Sequence, residues 1–230
     1  MRFIFVGFPD DVFPEMLIVA KSLRDQGHRI VHWIRASGFA PEYSPALAPL
    51  VDFRWDKRMS DPTNPLFFLD TTKFPPLDAS ELAVFASDES TALDLLARVY
   101  PNFSAPELIQ QYHLFLRCWK GLFQQLQPDV LVFRTIPHDP VNFIIYLTAL
   151  ARGIKVILFY QLWFGDRILP LNNYMQSAPS LTSAASSASR ILTPLDLKQD
   201  LRELYLSHTT SAPESKPFYF HDVLHSFTLI

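Results

Sequence analysis

The chain contains little of what several large classes of protein depend on. One cysteine, Cys118, among 230 residues excludes an intramolecular disulfide framework and favours a reducing compartment. No apolar run approaches the ~20 residues that span a bilayer, and the run after Met1 is too short for the apolar part of a secretory signal. The net charge of −3 provides no basic excess for general nucleic-acid binding. We therefore expect a cytoplasmic protein that has no transmembrane segment and does not bind nucleic acid.

Glycine-rich phosphate loops and metal motifs are also missing. The chain has six glycines, and Gly7 stands alone after the first apolar run. Because neither G-x-G-x-x-G nor G-x-x-x-x-G-K-[ST] occurs, a dinucleotide site at the first turn is not expected. No pair of His or Cys residues has the spacing of metal ligands, so the sequence predicts no metal site.

What is present is a globular composition with two βαβ patterns. Hydrophobic residues make up 49% of the chain and charged residues 19%. In the first pattern, residues 3–6 are a continuous apolar run, and residues 30–34 return to strand composition. Between them, apolar positions from Met16 to Leu23 have helical spacing, with Pro14 in the expected first turn and Gly27 after the expected helix end. The order of strand, helix and strand predicts a right-handed crossover between parallel strands.

The second βαβ pattern follows a long helical stretch. Two capping boxes, Asp78–Glu81 and Ser104–Glu107, predict helices, with Asp78 or Ser80 as the cap of the first. The second helix is expected to run to about Leu126. Residues 130–133 and 155–159 have strand composition, and Asp139 is the expected cap of the helix between them. We therefore predict a Rossmann-like α/β domain with a mainly parallel sheet and helices on both faces, in which all four predicted strands are parallel neighbours.

The sequence divides into three regions by composition. Residues 1–175 form the predicted Rossmann-like domain. Residues 176–192 are rich in Ser and Ala and predict a loop or linker. In residues 193–230 the sequence predicts a helix that starts at Thr193–Pro194. The tail after it is open to two interpretations, a strand or a connection to a second domain.

Polar side chains follow three of the predicted strands, where ligands bind in open parallel sheets. Alternatives remain open for these residues, because an Asp can be only a helix cap, a His can hydrogen-bond its own loop, and an Arg can form a surface salt bridge. The candidates are Asp10, Asp11, Arg134, His138, Gln161 and Arg167.

Two stretches of the chain resemble known families. The stretch FVGFPDDVFPEMLIVAKSLRDQGHRIVHW resembles the opening of two-domain (GT-B) glycosyltransferases, in which P-x-x-G-H-x-x-P precedes a helix that ends in L-x-x-x-G-H-x-V. Pro14 falls on the second proline, and Gly27–His28 falls on the helix end. The catalytic histidine of that family falls on Asp11 and the preceding glycine on Asp10, so the chain departs from the family at both positions. The stretch PDVLVFRTIPHDPVNFIIYLTALARGIKVILFYQ is similar to bacterial surface (capsular) polysaccharide biosynthesis proteins.

The resemblance implies an acceptor-side domain of a glycosyltransferase, which would transfer a sugar from a nucleotide donor to a glycan or lipid-linked acceptor. Asp11 is then the expected catalytic base, with Asp10 or His138 as alternatives. Asp10, Arg134, Gln161 and Arg167 are the expected substrate-binding residues. The nucleotide sugar would bind mainly to a second domain, no other cofactor is expected, and peripheral contact with the inner membrane stays open.

Two other functions compete with this one. A non-catalytic binding or scaffold protein could use the same sheet edge, and a Rossmann-like protein could bind a nucleotide. The missing glycine loops count against the second alternative.

Overall fold

A computed structural model describes residues 1–8, 14–34, 45–52, 74–162, 168–174, 179–187 and 193–210. The chain divides into two compact units. The first comprises Met1–Tyr160 and Pro170–Met175, and the second comprises Gln161–Leu169 and Gln176–Ile230.

The strands form a five-stranded, mainly parallel sheet, which confirms the predicted α/β fold class. The sheet order is β2-β1-β3-β4-β5, and β1 pairs in parallel with both β2 and β3, as β3 does with β4. The four predicted strands are therefore parallel neighbours. The strands are β1 (Arg2–Val6), β2 (Arg29–Ile34), β3 (Val130–Phe133), β4 (Lys155–Gln161) and β5 (Ile168–Leu171).

A bulge interrupts the pairing of β1 with β2. Phe3 lies opposite Ile30, but Ile4 lies opposite His32, so Val31 is the extra residue. Since side chains alternate between the two faces of a strand, the bulge brings Ile30 and Trp33 to the same face. That face carries the aromatic cluster described below.

The helices cover both faces of the sheet, as predicted. On one face, Ala20 of α1 packs in a core cluster with Phe3 and Phe5. On the opposite face, Phe133 of β3 meets Tyr146 of α5, with ring centroids 6.2 Å apart. The helices of the first unit are α1 (Pro14–Asp25), α2 (Ala79–Ala83), α3 (Glu89–Val99), α4 (Ala105–Leu126) and α5 (Pro140–Ala151).

Both predicted capping boxes are present. Asp78 accepts a hydrogen bond from the backbone N–H of Glu81 at 2.9 Å, while Glu81 accepts one from the backbone N–H of Asp78. Glu107 accepts hydrogen bonds from the backbone N–H and the hydroxyl of Ser104, each at 2.7 Å. These bonds satisfy donors that a helix start leaves without partners inside the helix. Because each box involves residues only three positions apart, the sequence alone predicted the starts of α2 and α4 correctly.

The second unit corrects two expectations. The Ser/Ala-rich stretch contains a helix, α6 (Pro179–Ser186), where a loop or linker was predicted. Proline suits a first helical position and alanine has the highest helix propensity, so composition alone misjudged the segment. The helix predicted from Thr193–Pro194 is instead a 3-10 turn (Pro194–Asp196) that ends at Leu197 in an extended conformation, followed by α7 (Gln199–Thr210). Residues 211–230 lie outside the described part of the chain.

Among the described helices, none combines the length and apolar character needed to cross a membrane.

Candidate functional site

The carboxyl edge of the sheet brings the ends of three strands together. The backbone N–H of Gly7 donates to the carbonyl of Ile34 at 2.8 Å, and that of Arg134 donates to the carbonyl of Val6 at 3.0 Å. The pairing of β1 with its two neighbours therefore continues one residue beyond each strand. As a result, Gly7 and Arg134 lie side by side at the edge where α/β sheets bind ligands.

An aromatic cluster supports this edge from one face. Trp33 stacks on Phe5 with ring centroids 4.7 Å apart, and its indole N–H donates to the carbonyl of Phe8 at 2.6 Å. The Phe8 side chain is buried and meets the edge of the Phe159 ring. These contacts fix the backbone that leads from β1 toward residues 9–13.

The first turn of α5 provides a residue that the sequence analysis missed. Asp139 caps the helix by accepting a hydrogen bond from the backbone N–H of Asn142 at 2.9 Å, and it also accepts one from the Asn142 side-chain amide. A Cβ placed on Gly7 would lie 3.7 Å from Asn142 Nδ2 and 3.8 Å from Arg134 Cβ. Asn142 and Arg134 therefore flank Gly7. The D-P-x-N spacing that follows β3 is a local signal for this arrangement.

His138 lies in the same strand-end loop, with an exposed side chain. Its Nδ1 is 2.9 Å from the carbonyl oxygen of Ile136. Because a carbonyl oxygen only accepts hydrogen bonds, Nδ1 carries the proton, and a neutral ring then keeps a lone pair on Nε2. The bond is the loop contact expected of a structural histidine, and it also leaves one nitrogen able to accept a proton.

Gly7 has a backbone φ of +80°, a left-handed value that residues other than glycine rarely adopt. Glycine here serves two purposes. It permits the turn, and it leaves open the space between Asn142 and Arg134 that a side chain would narrow.

The cluster does not test the remaining predicted site residues. Asp10, Asp11 and Arg167 lie outside the described residues, so their roles stay predictions. Gln161 is the last residue of β4, is exposed, and belongs to the second unit. Because parallel strands end at the same edge of a sheet, we also expect Asp11, His138 and Gln161 to face one cleft, and this stays a prediction.

The lone cysteine is unsuited to nucleophilic chemistry. Cys118 lies in the buried stripe of α4, and burial raises the pKa of its thiol to about 11. The thiol is therefore neutral near pH 7, whereas the thiolate is the nucleophile. Across the described ranges, no three His, Cys, Asp or Glu side chains are grouped as a metal site would require.

No protein-family model, curated protein or solved structure matches the chain. The proposed function is therefore based on the edge itself, where Arg134, His138 and Asn142 all follow β3, the strand that pairs with β1.

Proposed function

We propose that the chain is the acceptor-side domain of a glycosyltransferase-like protein of surface-polysaccharide biosynthesis. The observation that carries the proposal is the position of Arg134 and His138 in the loop after β3, at the edge where Gly7 follows β1. Two sequence resemblances support the proposal. They cover residues 5–33 and 128–161, which include the ends of β1 and β3.

The proposed reaction joins an acceptor hydroxyl to a sugar. The hydroxyl oxygen attacks the anomeric carbon, the bond from that carbon to the donor phosphate breaks, and the nucleotide diphosphate leaves with the electron pair. The hydroxyl proton passes to a base on this domain, which we assign to Asp11, with Asp10 or His138 as alternatives. Arg134 and Arg167 carry forked donors suited to phosphate or carboxylate, and Gln161 provides a further polar contact.

The proposed partners follow from this reaction. The acceptor is a glycan or a lipid-linked glycan, and the nucleotide sugar binds mainly to a second domain. A lipid-linked acceptor would place the protein at the cytoplasmic side of the inner membrane, in peripheral contact with it.

A non-catalytic binding protein is the second candidate, and one observation favours it. The hydrogen bond from His138 to the carbonyl of its own loop is what a structural histidine makes. Such a protein would bind the glycan at the same edge without transferring a sugar.

A transfer assay on the full-length protein, with any downstream domain retained, separates the two candidates. A panel of nucleotide sugars and glycan acceptors would be tested with wild type, Asp11→Asn and His138→Ala. We expect transfer by wild type and a loss of roughly 10²–10⁴-fold in kcat for the variant that lacks the base. His28→Ala is the matched control, because His28 precedes β2 at the opposite edge of the sheet. Glycan binding without transfer would favour the binding protein.

A further inference from the structure

We draw no further inference here: the strongest candidate, the side-chain cluster of Asp88, Tyr112, Tyr146 and Tyr174 beside the start of α3, carries no proposal, because only the raised pKa values of the three tyrosines relate them to the Asp88 carboxylate and the Tyr146 hydroxyl already donates to Asn173.

Discussion

The contacts inside the first unit and those inside the second differ in how far apart in sequence their partners lie. In the first unit, Phe5 stacks on Trp33 across 28 positions of sequence, and both side chains are at most 1% exposed. In the second unit, the guanidinium of Arg202 donates to the carbonyls of Pro194, Leu195 and Leu197, all within eight residues. Leu195 itself is 76% exposed.

This difference determines what each kind of contact contributes. Burial of large apolar side chains supplies most of the stability of a domain, at roughly 1.5–3 kcal/mol for each fully buried aliphatic or Phe side chain. A local hydrogen bond exchanges water for a carbonyl and contributes about 0.5–1.5 kcal/mol. Substitutions in the first unit should therefore change the free energy of global unfolding, and those at Arg202 should act locally.

Gly121 provides the strongest test of close packing in the first unit. The Phe74 ring lies directly against this glycine of α4, and a Cβ there would overlap the ring. Overpacking a core costs about 1–3 kcal/mol, whereas alanine gains about 1 kcal/mol over glycine in a helix. We expect Gly121→Ala to lower the free energy of unfolding by up to about 2 kcal/mol, as measured by urea denaturation.

The same substitution in a Phe74→Ala variant tests whether the Phe74 ring causes the destabilisation. In Phe74→Ala, where the ring is gone, Gly121→Ala should be neutral or stabilising, since only the helix propensity remains. Equal destabilisation in both backgrounds would show that Phe74 is not responsible.

The range of contacts also explains how much of the fold could be predicted. The strands of the first unit follow from apolar runs such as residues 130–133, and α5 follows from the Asp139–Pro140 start. The bulge at Val31 could not be predicted, because it depends on pairing with β1. In the second unit, the loop or linker predicted from the Ser/Ala composition near Pro179 was wrong, because that composition is equally compatible with the helix found there.

The site was predictable only in part, for a physical reason. Parallel strands place Gly7 and Arg134 on one edge, so their proximity follows from topology. The proximity of Asn142 to Gly7 depends on how the cap orients the first turn of α5, which spacing alone does not determine. Asp11, the residue on which the expected catalysis depends most, lies outside the described residues.

Tyr112 tests the cost of a buried polar group in the first unit. Its side chain is 0% exposed, and its hydroxyl has no hydrogen-bond partner among the residues that the structure describes. Removing such a hydroxyl relieves a desolvation penalty. We expect Tyr112→Phe to raise the free energy of unfolding by about 1 kcal/mol at pH 7, while Tyr205→Phe, at a side chain 47% exposed, leaves it unchanged.

The same residue predicts a pH dependence. Burial raises the pKa of Tyr112, as do the carboxylates of Glu89 and Asp88. Above pH ~10 the unfolded chain loses this proton while the folded chain keeps it, so stability falls as pH rises, by about 1.4 kcal/mol per pH unit for each such group. Burial also raises the pKa of Tyr146 to about 12, so Tyr146 contributes to the same loss of stability as pH rises. Denaturation series from pH 9 to 11 should show a shallower decline for Tyr112→Phe, and an unchanged slope would contradict the assignment.

Arg202 should give the smallest effect and the sharpest contrast with Gly121. Arg202→Ala removes the forked donor that holds the carbonyls of residues 194–197. Since these bonds are local and largely exposed, we expect a change below about 1 kcal/mol in global unfolding, with faster amide hydrogen exchange confined to residues around the 3-10 turn. Arg202→Lys keeps the charge but lacks the fork, so it should accelerate exchange nearly as much. If either variant instead lowers the unfolding free energy of the first unit as strongly as Gly121→Ala does, the two units unfold as one, and the distinction between distant packing and local bonding does not hold.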